Sequence, residues 1–189
     1  LEAWKSISGS ESILEGFVKF KRELSLIAVR GVDGNLEYYP LVENSHYEGI
    51  LRLTIAPANN INKTLQKKAE DYMSLILKEI NHVGVLTIEL FETEDNLIVN
   101  EMAPRVHNSG HLTINAYNVS QFENHVRAVC GLEQLPLKKL SNATMVNLIG
   151  NQISEYRKLP KFKENEFFFD YLKKEIKEKR KMGHLTTLV

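Results

Sequence analysis

Apolar residues in the first third of the chain recur with a period near two, the spacing of a strand that buries one face. Residues 12–20 and 23–30 read as two such strands. Val32-Asp33-Gly34-Asn35 supplies Asp-Gly turn chemistry, and 36–39 returns as a strand, which makes a hairpin. Residues 42–46 and 50–56 predict two more strands around a loop with His46 and Gly49, closed by Pro57. The period then changes. Ile61, Leu65, Ala69, Tyr72, Leu75 or Ile76, and Ile80 recur at helical spacing, with Lys and Glu on the other face, and predict one helix over 61–80. Residues 82–91 and 97–101 predict paired strands joined by a charged turn, 92–96. Ser120 with Glu123 three residues on predicts a capping box opening a helix over 120–130, and Gly131 its stop. Residues 135–142 read as a linker, 143–149 as a strand, and 167–171 as an apolar run. A basic stretch, 173–181, precedes a turn and strand over 182–186. The pattern predicts an α+β fold, an antiparallel sheet flanked by helices, in two parts: 1–134 and a small β-rich 135–189.

Composition narrows the function classes. A chain of 189 residues can bury a sizeable core. Formal net charge is zero, which argues against nucleic acid and against a membrane surface as partners. The sequence holds no apolar run of membrane-spanning length. Cys130 is the single cysteine, so no internal disulfide can form, and a reducing, cytoplasmic location is expected. The chain begins at Leu1 rather than Met, which suggests part of something longer.

The candidate chemistry lies in Asn100-Glu101-Met102-Ala103-Pro104-Arg105-Val106-His107-Asn108-Ser109-Gly110-His111. A core strand or a solvated helix has no use for that mixture; a site for an anion and a metal does. Upstream, Glu89 stands in the apolar run 83–91, and a buried carboxylate needs a partner charge or a metal. Two antiparallel strands could place Glu89 and Glu101 on one magnesium, which takes oxygen ligands. The competing reading pairs Glu89 with a buried Arg and leaves Glu101 solvated. Spacing alone leaves these two even. Arg105 offers a fork for a carboxylate or phosphate, and Asn108-Ser109-Gly110 a turn with free amides. Asn100 could add a further ligand or hydrogen bond, although adjacent strand residues normally point to opposite faces. For Glu15, Glu23 and the basic stretch, edge-strand carboxylates and a solvated face are the simpler readings.

Taken together, these residues resemble the 5-(carboxyamino)imidazole ribonucleotide synthetase family of ATP-grasp enzymes. The resemblance rests on Glu89-Leu90-Phe91 and the 100–111 string. It extends through Leu14-Glu15-Gly16-Phe17-Val18, Glu43-Asn44-Ser45-His46, Ser120-Gln121-Phe122-Glu123, Asn147-Leu148-Ile149-Gly150 and Arg180-Lys181-Met182-Gly183-His184. It implies an ADP- and phosphate-forming ligase of purine synthesis. ATP would phosphorylate bicarbonate to carboxyphosphate, whose carboxyl group passes to 5-aminoimidazole ribonucleotide. By the same resemblance, Glu89 and Glu101 hold magnesium or manganese. Glu15, Val18, Glu23, His46, Asn100 and Glu101 contact ATP. Arg105, His107 and Asn108 are catalytic. Arg105, Asn108 and Ser109 face bicarbonate and the imidazole, while Lys173 (or its neighbour Lys174) and Arg180 hold the 5′-phosphate. The resemblance further implies a homodimer. In it, 1–134 is the C-terminal part of the grasp domain and 135–189 the small subdomain. An N-terminal nucleotide-fold domain and an ATP lid are missing from these residues, so turnover by them alone is not expected. The family's Arg-Pro-Gly is replaced here by Lys177-Glu178-Lys179, which implies a differently shaped phosphate loop. The rival readings are another ATP-grasp carboxylase or formyl-transfer ligase, and a binding or dimerisation module without catalysis. Magnesium-dependent thermal stabilisation by ADP separates the module from the enzymes.

Overall fold

The computed structural model describes residues 2–94 and 96–189. Asp95, in the expected 92–96 turn, lies outside the described residues, as does Leu1. Nine strands form one sheet. They are β1 Arg22–Arg30, β2 Leu36–Tyr38, β3 Val42–Tyr47, β4 Ile50–Ala56, β5 Gly84–Glu92, β6 Leu97–Ala103, β7 Ala143–Ile149, β8 Glu166–Asp170 and β9 Lys181–Leu188. The order across the sheet is β6-β5-β1-β3-β4-β7-β9-β8, with β2 added to β1, and every pairing is antiparallel. The helices are α1 Glu2–Ser6, α2 Lys63–Glu79, α3 Thr113–Ala116, α4 Gln121–Val129 and α5 Gln152–Tyr156. No helix among the described residues is long and apolar enough to cross a membrane.

Alternation along β1 and β5 sets the layers. Leu24, Leu26 and Ala28 with Leu86, Ile88 and Leu90 face α2, which buries Ala69, Met73 and Leu77 against them. The intervening residues Ile27, Val29 and Val85 face Leu112, Ala116 and Ala128, contributed by the segment after β6 and by α4. Glu23, Ser25, Thr87 and Glu89 share that second face by the period of two. Helix α2 starts where Asn62 Oδ1 accepts from the Leu65 amide at 2.8 Å. At α4 half of the expected capping box forms: Ser120 Oγ accepts from the Glu123 amide at 3.2 Å. The Glu123 carboxylate turns instead to Arg127, one helical turn on, at 2.9 Å.

One expectation needs correction. Residues 12–20 form no strand. Ile13, Leu14 and Phe17 are 86%, 100% and 95% exposed, and the segment is moored at its end by Phe20 stacked on Phe91 at 4.4 Å. An apolar run becomes a strand only where it pairs with a neighbouring strand, and residues 12–20 lie beside β6 without pairing to it. Residues 135–142 form neither helix nor strand and lead into β7, as expected of a linker, and the sheet continues beyond them. β7 pairs with β4 in the register Leu53↔Val146, so 143–189 continues the sheet begun by 22–56.

The sheet is also curled. β5 and β9 stand five strand steps apart, about 24 Å on a flat sheet at ~4.8 Å per step. Yet Glu89 on β5 and Lys181 on β9 line one cleft. Twist and local bulges supply such curvature. Three pairings skip a residue: Asn100 on β6, Arg52 on β4 and Met182 on β9. The sheet thereby wraps around residues 104–116.

Candidate active site

Glu89 and Glu101 are register partners across β5 and β6. The ladder then jumps to Leu90↔Val99, leaving Asn100 as the extra residue of a bulge. Strict alternation would send Asn100 and Glu101 to opposite faces; the bulge lets both line the same cleft of about 390 Å³. Glu23, His46, Glu89, Arg105, His107 and Lys181 complete its polar wall, with Gly49 and Leu51. His46 Nδ1 lies 2.9 Å from Glu23 Oε2.

The partner of Glu89 is His107, not an arginine: Nε2 lies 3.1 Å from Oε1. The Ser109 amide donates to His107 Nδ1 at 3.4 Å, and Ser109 Oγ lies 2.9 Å from the same atom. With Nδ1 accepting, the imidazole proton sits on Nε2 and points at Glu89. Burial pushes the Glu89 carboxyl up, but the hydrogen bond from His107, with His46 and Lys181, holds it below the usual carboxylate range. Lys181 is half-buried. Burial lowers its pKa; Glu89 acts against that and Arg105 and Lys173 add to it. Ligand atoms of Glu89, Glu101 and His107 all lie within 4.8 Å of one another. The two carboxylates fit a hard divalent cation such as magnesium, while the imidazole nitrogen suits softer metals and is engaged with Glu89.

The loop after β6 is held by Gln121, which is fully buried. Its Oε1 accepts from the His107 amide at 2.9 Å, and its Nε2 donates to the His107 carbonyl at 2.7 Å and reaches His111 Nδ1 at 2.9 Å. Gly110 is required beneath it: a Cβ there would stand 2.6 Å from Gln121 Oε1 and 2.8 Å from Ile27 Cδ1.

The structure does not gather every candidate into this cleft. Glu15 and Val18 line a neighbouring groove with Phe91, Ile98, Val99 and Asn100, so Asn100 borders both spaces. Ser109 is fully buried and reaches the cleft through His107. Asn108 is half-buried behind the cleft wall. Lys173 is half-buried, with Nζ donating to the Lys181 carbonyl at 2.6 Å and lying 5.3 Å from the Tyr171 ring centre; Lys174 and Arg180 are exposed. Lys181 was hidden from sequence reasoning by the surrounding basic run; its one signal is its place beside the Met182-Gly183-His184 motif.

Residues 1–122 match the ATP-grasp domain family. The chain belongs to the ATP-grasp family. Residues 143–189 match the phosphoribosylaminoimidazole carboxylase C-terminal domain. Among curated relatives of this ATP-grasp chain, the N5-carboxyaminoimidazole ribonucleotide synthase of Bacillus subtilis is 46% identical over 92% of the chain and 46% of the relative. The solved N5-carboxyaminoimidazole ribonucleotide synthetase of Thermus thermophilus superposes with a TM-score of 0.89 at 47% identity, over 100% of this chain and 51% of that one. The synthase of Aspergillus clavatus, solved in complex with ADP and 5-aminoimidazole ribonucleotide, gives 0.83 at 32% identity, over 92% and 48%. The chain thus spans about half the length of the relatives it matches.

Two imidazoles near the site, the buried His184 and the half-buried His111, tie stability to pH. Burial lowers His184 to about 4; burial first, then His184, His107 and Lys181, lowers His111 to about 3. Between these values and the ordinary 6.5, the unfolded chain binds protons that the folded chain refuses. Stability therefore falls as pH falls from 6.5, by roughly 1.4 kcal/mol per pH unit for each imidazole, until the folded pKa is reached. Urea unfolding of His184→Gln between pH 7 and 4.5 is expected to show a shallower decline than the parent chain; an unchanged slope would exclude His184 as a contributor.

Proposed function

We propose that this chain supplies the metal- and anion-gripping half of an N5-carboxyaminoimidazole ribonucleotide synthetase. The observation that carries the reading is the convergence of Glu89, Glu101, Arg105, His107 and Lys181 in one cleft. The chain that builds it is 46% identical to a relative of that name. The reaction is ATP-dependent carboxylation of 5-aminoimidazole ribonucleotide with bicarbonate, through carboxyphosphate.

Phosphoryl transfer between anions asks for positioning and charge neutralisation more than covalent help. In this reading Glu89 and Glu101 hold magnesium (or manganese), which when bound neutralises charge on the nucleotide phosphates. Arg105 and Lys181 present positive charge to the carboxyphosphate oxygens. Arg105 also keeps its fork accessible beside the carboxylates. His107, fixed by Glu89, Ser109 and Gln121, orients one imidazole edge at the reacting groups. Glu23, His46 and Asn100 receive ATP from the cleft side. Glu15 and Val18, in the groove that shares Asn100, take the base. Lys173 and Arg180 lie beyond the cleft and hold the substrate's 5′-phosphate. Segments 1–134 and 135–189 act as the grasp part and the small subdomain, and the whole enzyme works as a homodimer.

The test is ADP formation by the native-length protein with ATP, magnesium, bicarbonate and the aminoimidazole ribonucleotide. Turnover that needs both bicarbonate and the imidazole is expected. Turnover that proceeds equally with another amine and without this one would overturn the reading.

A further inference from the structure

The loop beside His107 is held from behind by polar side chains of the 143–189 part. Asn108 opens the short turn Asn108–Gly110. Its Oδ1 accepts from Asn147 Nδ2 at 2.5 Å, and its Nδ2 donates to the Tyr171 hydroxyl at 3.4 Å. Neither amide is free to flip. Asn147 Nδ2 spends its second proton on the Leu51 carbonyl at 3.0 Å, so Asn147 must present its NH₂ group to Asn108, and Asn108 must answer with its oxygen. The Tyr171 hydroxyl accepts from Asn108, which leaves its own proton for His184 Nδ1 at 2.9 Å. One order of donors therefore runs through the whole chain of bonds.

Asn147 and His184 are each 1% exposed and stand opposite one another in the β7–β9 ladder. An apolar pair would close that seam without the cost of burying polar groups. Neither of them, nor Tyr171, lines the cleft. We propose that Asn147, Tyr171 and His184 are positioning residues that fix the orientation of the Asn108 amide. Its remaining Nδ2 proton then meets an acceptor on the aminoimidazole ribonucleotide. The inference rests on the functional reading above, together with the family resemblance, which implies that Asn108 faces that substrate.

A double-mutant cycle in the native-length protein tests it. Tyr171→Phe removes only the hydroxyl and keeps the ring against Lys173 and His111. Losing one neutral hydrogen bond from the chain should raise KM for the imidazole substrate about five-fold, with KM for ATP unchanged. Asn108→Ala should raise the same KM, and the pair should be no worse than Asn108→Ala alone, because both break one chain. Additive effects, an unchanged imidazole KM in Tyr171→Phe, or an equal rise in KM for ATP would each overturn the positioning role. If Asn108→Ala itself leaves the imidazole KM unchanged, the substrate contact of Asn108 fails and the positioning role with it. Parent protein without imidazole-dependent turnover would instead locate the failure in the functional reading.

Discussion

Glu101→Gln is expected to abolish most nucleotide-dependent turnover while leaving the fold intact. The side chain is exposed and faces Glu89 across β5 and β6, so no core contact is lost. Gln keeps the shape and hydrogen-bonding reach but removes the charge that makes a carboxylate pair a cation site. Removing a single group that stabilises transition-state charge costs about 10²–10³ in kcat. The expected result is therefore a loss on the order of 10²-fold with an unaltered melting temperature. Raising magnesium should recover part of it, since the defect is in metal affinity. The measurement is kcat and KM for ATP across a magnesium titration. Turnover within a few-fold of the parent at all magnesium concentrations would remove Glu101 from the metal site. A melting temperature lowered along with activity would make its role structural.

Gln121→Ala should destabilise the protein as well as inactivate it. No part of Gln121 is exposed, and its amide satisfies both backbone groups of His107 and one nitrogen of His111. Alanine leaves a buried N–H and a buried carbonyl unpaired, each costing roughly 1–3 kcal/mol, and adds a cavity. A total near 3 kcal/mol corresponds to a fall of about 6–12 °C in Tm for a chain of this length. His107 would then lose the support that aims Nε2 at Glu89. Gln121→Glu is the sharper probe. It keeps an acceptor for the His107 amide but sets a second oxygen against the His107 carbonyl and His111 Nδ1, so it too should lose both stability and activity. A Gln121→Ala protein that melts with the parent would show that the loop is held by other means, and the two predictions above would separate.

Much of this arrangement was legible in the sequence because two periodicities were clean. The period of two in β1 and β5 set which residues face α2 and which face the site, and so placed Glu89 among apolar neighbours. The 3.6 period gave α2, and Ser120 gave the start of α4. The density of polar types from Asn100 to His111 marked the site itself. What stayed hidden had physical causes. A bulge shifts the alternation by one residue, but β6 ends two residues after Glu101, too soon for the shift to show in the apolar pattern, so the turn of Asn100 toward Glu101 left no trace. Gln121 and Asn124 are polar residues on the buried face of α4; at helical spacing they weaken the amphipathic signal, and only the backbone they support explains them. Residues 12–20 misled because their alternation is that of a strand, whereas a strand also needs its backbone paired, which alternation does not report. Lys181 was masked by the lysines before it.

The seam between β4 and β7 has a consequence for anyone recombining relatives of this protein. Residues 135–142 look like a free splice point, largely exposed and without helix or strand. Yet the segment delivers β7 to β4 in one register, and the side chains of a strand alternate, so a slip of one residue would turn every β7 side chain over. Asn147 would then face away from Asn108. A chimera joined there inherits a gauge as well as a tether: β7 must keep its own register on β4, whatever the length of the junction, or the active-site loop loses its backing.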